Sequence, residues 1–398
     1  GNSLVEFRNG TITAGTVGSP ADLYFFHNHF GTDNRSVLVN SAIVDNSVTG
    51  SVRLILTAGD KQGGTSVVTL NGANTYTGGT VINGGVRVLG ATGVLGTGGL
   101  DLVEGTFNQT LGGVIPTQSL TVGGGSTLNL ANQANAFSSI TVRNNGGGAT
   151  LNLTGTTTLS GGLTVTSIDP SALPSLANGI LDLAAQPAAA FAIGAHVANG
   201  VSFAPLQPSL NIVSVIQNGG IAKSGNGVLQ LSGASTFAGG VNVTAGGLAI
   251  GGNSNPLSGA VASGPLGTGG LTMAANTRLI TTGTWTVGNA VTFQGDTLFA
   301  STSNATSALT INGVATLPSV WNVTVLNPLL TVNLADASPS IASDVINKSG
   351  LGTINVGNYA GNILVTGGLS ITADGNRRGT FEQLAIGGDI SIAGDTAI

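Results

Sequence analysis

A sixteen-residue phrase occurs twice in this chain, as TYTGGTVINGGVRVLG at 75–90 and as TFAGGVNVTAGGLAIG at 236–251. Aliphatic residues fall at alternate positions in both copies, and pairs of glycines interrupt the alternation. A period of two places one set of side chains on one face of a β-strand. Paired glycines accept positive φ and close backbone approach, so they suit tight corners. The predicted corner glycines are Gly78, Gly79, Gly84, Gly85, Gly239, Gly240, Gly246 and Gly247.

Short alternating runs of the same kind recur along the whole chain, and nothing comparable repeats at helical spacing. One such coil cannot cover its own apolar face, but stacking on its neighbours covers it. The chain has 65 glycines and is 41% apolar but only 4% aromatic, which suits a narrow tube better than a sandwich or propeller. We therefore predict an all-β parallel β-helix, or β-solenoid, with coils of roughly 20–25 residues.

The domain prediction divides one continuous solenoid, taken as a fragment of a longer chain, into three parts. Residues 1–166 and 216–398 are expected to form regular coils. Residues 167–215 are rich in proline and alanine, and proline withdraws a donor from a strand ladder. We predict an excursion or irregular coils there, with a helical turn near 184–192 as one form of it.

Composition excludes several classes of partner and site. The formal charge is −5, and no run of Lys or Arg could neutralise successive phosphates, so no nucleic-acid partner is predicted. No apolar stretch reaches membrane-spanning length, so this segment is not expected to insert into a membrane. The chain has no cysteine, which excludes disulfides and Cys-based zinc or iron–sulfur sites. No cofactor is predicted.

The segments LNGANTYTGGTVINGGVRVLG and GNGVLQLSGASTFAGGVNVTAGGLAIG resemble the passenger-associated transport repeat, also called the autotransporter-associated β-strand repeat. The first copy carries the pattern at Asn74, Tyr76, Gly78, Gly79, Thr80 and Gly84. The second copy keeps Phe237 at the aromatic position, but has Ser235 for the asparagine and Val241 for the threonine. The resemblance implies a right-handed parallel β-helix in a secreted or cell-surface bacterial protein whose role is structural or adhesive.

The run YFFHNHF holds the one arrangement that suggests a metal site. His27 and His29 would point to the same side of a strand, and Asp22, Asp33 or His196 could supply a third ligand. A lone pair of histidines at this spacing is a weak motif. The plainer interpretation is a surface strand with two solvated histidines, and no metal site is predicted beyond this weak candidate.

The acidic residues do not favour catalysis. Glycoside hydrolysis needs two carboxylates flanking one bond. Asp and Glu stand mostly alone in this chain, as at Asp101 and Glu104, Asp336, Asp344 and Asp389. The cluster of Asp374 with Arg377 and Arg378 is typical of a turn. We therefore predict no catalytic residue and no enzyme.

These observations favour an extracellular structural β-solenoid that forms or spaces a bacterial cell-surface fibre, filament or matrix. The partners expected are a second copy stacked head to tail or the continuation of a longer solenoid, since open solenoid ends present unpaired backbone groups. Two alternatives stay open. One is an adhesin that recognises a surface glycan or protein, through loops or the proline-rich segment, and the other is a polysaccharide-degrading enzyme on a β-helix.

Overall fold

The computed structural model describes residues 4–27, 35–58, 66–339, 341, 343–359, 361–365, 369–372 and 390–393. The chain divides into two compact units, Gly1–Ala184 and Ala185–Ile398. No helix occurs among the described residues of either unit. All the regular structure of both units is therefore β-strand.

The first unit is built from short strands separated by turns. Its strands are β1 (Leu4–Phe7), β2 (Thr11–Ile12), β3 (Ala21–Phe26), β4 (Arg35–Val39), β5 (Ala42–Ile43), β6 (Val52–Thr57), β7 (Ser66–Leu70), β8 (Thr80–Leu89), β9 (Leu100–Gln109), β10 (Gln118–Gly123), β11 (Thr127–Asn129), β12 (Asn135–Asn144), β13 (Thr150–Asn152), β14 (Thr156–Leu159), β15 (Leu163–Ser167), β16 (Ser175–Ala177) and β17 (Ile180–Asp182).

The second unit has the same character. Its strands are β18 (Ala189–Ala198), β19 (Val201–Phe203), β20 (Pro208–Ile212), β21 (Val215–Gln217), β22 (Ile221–Ser224), β23 (Val228–Leu231), β24 (Val241–Val243), β25 (Gly247–Ile250), β26 (Leu271–Met273), β27 (Thr277–Thr281), β28 (Trp285–Val287), β29 (Val291–Phe293), β30 (Thr297–Ser301), β31 (Ser307–Thr316), β32 (Val320–Val325), β33 (Leu330–Asp336), β34 (Val345–Ser349), β35 (Thr353–Val356), β36 (Asn362–Val365), β37 (Leu369–Thr372) and β38 (Ile390–Ala393).

Strands of the first unit pair in parallel with strands one coil further along the chain. One face follows β3, β6, β8, β9, β10, β12 and β15, and a second face follows β9, β11, β13 and β16. The prediction of a parallel β-helix is confirmed. Coil length varies, from 19 residues between Val67 and Val86 to 32 residues between Leu4 and Ser36.

The core of the first unit is a stack of inward side chains in register. Phe107, Leu128, Leu151 and Leu176 pair in sequence along the stack, and all four are fully buried. A fully buried aliphatic or aromatic side chain of this size contributes about 1.5–3 kcal/mol relative to exposure. Each coil therefore supplies the cover that its neighbour needs.

The second unit repeats this arrangement with a larger aromatic cluster. Leu229, Leu248, Leu279 and Phe299 form one buried column of register partners. The fully buried Trp321 lies with its ring centroid 6.1 Å from that of Phe299. Small aliphatic side chains and a few aromatic rings thus fill both interiors.

Two local predictions need correction. The alternating runs at 80–82 and 86–89, on either side of two glycines, predict two short strands, but Thr80–Leu89 is the single strand β8, with register shifts at Ile82/Asn83 and Asn83/Val86. Gly84 and Gly85 adopt positive φ at these shifts, which residues with side chains rarely do, so strand pairing continues on both sides of the corner. The predicted helical turn near 184–192 is wrong, because Ala189–Ala198 is strand β18, whose core-facing residues are buried.

Candidate functional site

The corner at Gly78 and Gly79 brings neighbouring coils into direct backbone contact. A Cβ on Gly78 would lie 2.6 Å from the carbonyl carbon and oxygen of Val52, and Gly79 has a φ of +88°. In the second copy Gly240 has a φ of +72°, and a Cβ there would collide with the carbonyl oxygen of Gly270. Glycine alone allows one coil to approach the next this closely at these corners.

The other predicted corner glycines occupy the corresponding turns. Gly84 and Gly85 lie inside β8 at its register shift, with φ values of +91° and +70°. A Cβ on Gly239 would lie 2.7 Å from a backbone carbonyl oxygen of the preceding coil, and Gly246 has a φ of +74°. Gly247, by contrast, is the first residue of strand β25 and pairs in regular register with Val228 and Arg278. Seven of the eight glycines thus lie where strands turn or shift register.

Asn74 joins three successive coils through its side chain. Its Oδ1 accepts a hydrogen bond of 2.8 Å from the amide of Ile43, and its Nδ2 donates one of 2.7 Å to the carbonyl of Val94. In the second copy, the shorter Ser235 accepts a 3.0 Å hydrogen bond from the amide of Ile216. The polar side chain at this position therefore satisfies backbone groups that would otherwise be buried without a partner.

The aromatic position of the phrase fills the interior next to this bridge. Tyr76 is fully buried, its hydroxyl lies 2.7 Å from the hydroxyl of Thr80, and burial raises the pKa of Tyr76 to about 12. The following coil passes over the ring at Gly96, where a Cβ would collide with ring carbons of Tyr76. In the second copy, Phe237 is fully buried and Gly267 passes over its ring in the same way.

The family model of the passenger-associated transport repeat matches residues 61–86 and 221–250. The two matched segments contain most of each copy of the phrase, including its aromatic position and its glycine corners. The chain carries the passenger-associated transport repeat twice. The resemblance seen in the sequence is thereby confirmed for these two segments. No curated protein and no solved structure matches the chain.

The second passenger-associated transport repeat begins with a buried lysine that sequence reasoning did not single out. Lys223 is fully buried, and its Nζ donates hydrogen bonds of 2.6, 2.6 and 2.7 Å to the carbonyl oxygens of Gly225, Gly227 and Ala245. Burial, together with the nearby charge of Arg278, lowers the pKa of Lys223 to about 7. The ammonium group holds the corner together by binding its inward-facing carbonyls.

A second buried lysine lies in the stretch KSGLG, which resembles the stretch KSGNG that begins at Lys223. Lys348 is almost fully buried and donates a 2.7 Å hydrogen bond to the carbonyl of Gly350, and burial lowers its pKa. The shared KSG-x-G pattern was visible in the sequence. The sequence signal for this role is a lysine at an inward position of an alternating strand, close before a glycine corner. Such a lysine indicates that its Nζ binds the buried carbonyl groups of the corner.

A shallow depression follows the glycine corners on the outer face of the first unit. We call it the glycine groove: it is floored by Gly78, Gly79, Gly98 and Gly99 and edged by Arg53 and Ser119. It has a volume of about 240 Å³ and adjoins a second depression of about 390 Å³, with which it shares Arg53 and Gly78. The groove exists because four residues without side chains lie side by side in consecutive coils.

Charged residues of the first unit lie along this groove. Arg53 donates to Asp22 from Nε at 2.9 Å and from Nη2 at 2.8 Å, and the hydrogen bonds from Arg53 hold the pKa of Asp22 below its usual value. Asp101 lines the groove, and its Oδ2 atom lies 3.5 Å from Nη1 of Arg143. Two ion pairs therefore border the depression, and the sequence pattern alone did not predict either.

The histidines suggested as metal ligands are not brought together among the residues described. His27 is the last described residue of its segment, and His29 and Asp33 lie outside the described residues. Asp22 is engaged by Arg53. His196, in the second unit, is buried, and its Nε2 lies 3.3 Å from the carbonyl oxygen of Gln207. Within the described ranges, no group of three or more His, Asp or Glu residues could hold a metal ion.

The carboxylates considered for catalysis serve separate structural contacts. Asp336 accepts a 3.1 Å hydrogen bond from Asn358, and Asp344 accepts one of 2.8 Å from the amide of Ile341. Glu104 is exposed on β9. Asp389 and the cluster of Asp374, Arg377 and Arg378 lie outside the described residues. In the part of the chain that the structure describes, no helix is both long and apolar enough to cross a membrane.

Proposed function

We propose that this chain is an extracellular structural β-solenoid that forms or spaces a fibre, filament or matrix on a bacterial surface, without catalysis. The observation that carries the proposal is the parallel register of both units, in which each coil pairs with the next. Polar side chains in both units also hold neighbouring coils together. The passenger-associated transport repeat supports a secreted or cell-surface location, and its family is typically not enzymatic.

Ladders of asparagine side chains in the first unit support a structural role. Asn129 donates to Asn108 at 2.7 Å, Asn152 donates to Asn129 at 2.6 Å, and Asn178 donates to Asn152 at 2.9 Å. These hydrogen bonds run from coil to coil, parallel to those of the backbone. Chains of hydrogen bonds of this kind polarise and strengthen one another.

The second unit has ladders of the same type. Asn355 donates to Asn333 at 2.7 Å on one face. On another face, Asn347 donates to Asn322 at 2.9 Å, and Asn322 donates to Asp296 at 2.8 Å. A chain without disulfides gains rigidity from such repeated contacts.

Self-association is part of this proposal. Strand β1 pairs with β4 along one edge, while Leu4, Val5 and Phe7 remain 40–60% exposed. A further coil, from a second copy or from a continuing chain, would cover these apolar side chains and pair with the edge of β1 that has no partner among the described residues. Such stacking would extend the solenoid without any new type of contact.

Sedimentation velocity of the purified chain across a range of concentrations tests this role. We expect assemblies that grow with concentration and that Val5→Lys reduces, since a charge would have to be buried in the contact. Val48→Lys, at a fully exposed apolar residue in a turn, is the matched control and should assemble as the unchanged chain does. Equal assembly of Val5→Lys and the unchanged chain, or turnover of a polysaccharide, would contradict the proposal.

A further inference from the structure

The glycine groove runs along the stack rather than around one coil. Thr80 pairs with Leu54 and with Leu100, and Leu100 pairs with Leu120, so the preceding residues Arg53, Gly79, Gly99 and Ser119 succeed one another from coil to coil. Asp22 pairs with Arg53 and extends this line by one more coil. Four inter-strand steps of about 4.8 Å give a length of roughly 19 Å.

The charges that border the groove compensate one another. Arg53 and Asp22 form a two-pronged ion pair, and Asp101 is paired with Arg143. A polyanion would have to compete with Asp22 or Asp101 for its cation, and a polycation would have to compete with the arginines. The groove therefore offers hydrogen-bonding groups without a net charge that selects an ion.

Groups along the groove retain capacity for hydrogen bonds. Asp101 lines the groove with its side chain 34% exposed, although its Oδ1 atom, which accepts no hydrogen bond, is itself enclosed. The side chains of Ser119 and Thr121 also line the groove. A ligand with many hydroxyl groups can both donate and accept among such partners.

An exposed aromatic ring stands at one end of this line. Tyr24 is 64% exposed, and its hydroxyl donates a 3.2 Å hydrogen bond to Asp22. Because Tyr24 and Asp22 are two residues apart on β3, they point to the same face as Arg53. An aromatic ring with an apolar face and a polar tip is suited to a ligand that presents both C–H and O–H groups.

We propose that the glycine groove binds a short stretch of a neutral polysaccharide, laid along the solenoid axis from Tyr24 towards Thr121. The glycine floor lets the sugar rings approach the backbone, Tyr24 packs against a ring face, and Arg53, Asp101 and Ser119 bind hydroxyl groups. This assigns a binding site to the first unit that the structural role does not require. It differs from recognition through the proline-rich segment, which lies outside the groove.

Isothermal titration of the complete chain with three tetrasaccharides tests this site. The probes are cellotetraose and chitotetraose, which are neutral, and tetragalacturonate, which is anionic. We expect saturable binding of at least one neutral probe at concentrations below about 10 mM. Ser119→Trp, which fills the groove from an exposed outward position, should weaken that binding at least about tenfold.

Two matched pairs of variants separate binding from folding. Thr164→Trp introduces the same side chain at an exposed outward position two coils beyond Thr121, and should leave binding unchanged. Asp101→Asn should weaken binding, while Glu104→Gln, on the same strand but outside the groove, should not. Circular dichroism should show all four variants folded.

Three results would overturn the site: no saturable binding of either neutral probe, binding of tetragalacturonate alone, or neutral binding that Ser119→Trp and Asp101→Asn leave unchanged. The outcome is independent of self-association, because Val5→Lys alters β1 and leaves the groove residues in place. Failure of either proposal is thus distinguishable from failure of the other.

Discussion

The phenolic oxygen of Tyr76 lies 2.7 Å from Oγ1 of Thr80, and both side chains are buried in the first passenger-associated transport repeat. In the second repeat the same two positions hold Phe237 and Val241, which are also buried. The two copies therefore differ by a matched pair of changes. Either both hydroxyl groups are present and bonded, or both are absent.

This pairing predicts a non-additive double-mutant cycle. Tyr76→Phe and Thr80→Val should each lower the free energy of unfolding by about 1–3 kcal/mol, because each leaves a buried hydroxyl without its partner. The double variant, which reproduces the second repeat, should lose less than the sum of the two single changes. Urea denaturation of the four proteins measures the cycle, and strict additivity would show that the two hydroxyl groups are not coupled.

Gly96 predicts a steric effect. Gly96→Ala should destabilise the protein by about 1–3 kcal/mol, since the new Cβ meets the ring and the carbonyl oxygen of Tyr76 and the coil has to move. Gly283→Ala is the control, because the nearest atoms to its Cβ lie at 3.4 Å or more. Thermal unfolding should separate the two variants clearly. An equal effect of both would mean that the coil over Tyr76 adjusts without cost.

Asp45 predicts acid sensitivity. Burial alone would raise the pKa of Asp45, but hydrogen bonds from the amides of Val52 and Thr77 and from the Thr77 hydroxyl lower it below its usual value. A carboxyl group with a lowered folded pKa stabilises the fold above its unfolded pKa of about 3.9 and loses that contribution as the pH falls through the folded value.

The corresponding variant is Asp45→Asn, which should lower stability at pH 7 by about 1–3 kcal/mol and flatten the acid limb of the stability curve. Urea denaturation between pH 2 and pH 7 measures both effects. Glu104→Gln, at an exposed carboxylate of the same unit, should change the free energy of unfolding by less than about 0.5 kcal/mol. An acid limb that is identical in Asp45→Asn and the unchanged chain would contradict the assignment.

The buried Lys223 predicts a change in stability at alkaline pH. Its pKa is lowered by burial to about 7, whereas an unfolded lysine titrates near 10.4. Between these values the unfolded state binds more protons, so stability should rise as the pH increases from 7 to 10. Lys223→Met should abolish this part of the slope in urea denaturation. If the slope is absent from the unchanged chain, the three carbonyl acceptors offset the effect of burial.

Much of the fold could be predicted from local pattern. Alternating residues such as Val241 and Val243 predict a strand, and a glycine pair before them predicts a corner, because both signals depend on the backbone of a few neighbouring residues. The repeat then predicted stacking. One exception is Ala189–Ala198, which is rich in alanine but forms a strand, because its alternate residues face a core formed by other coils.

The side-chain contacts between neighbouring coils could not be predicted from local pattern. Arg53 and Asp22 are separated by 31 positions, and Lys223 and Ala245 by 22. Coils of the first unit range from 19 to 32 residues, so a fixed period does not assign partners across the stack. The glycine groove depends on such partners, since it forms only where glycines of successive coils coincide.

The sequence by itself determined that this protein consists of β-strands with glycine corners, and that its coils must stack to cover their apolar faces. Strand alternation and corner geometry are properties of short stretches, so they can be inferred from residue order. The tertiary structure alone decided which polar side chains meet, from the Asn108 ladder to the three carbonyls around Lys223. Those contacts depend on register between coils, which packing of the whole stack fixes and no short stretch contains.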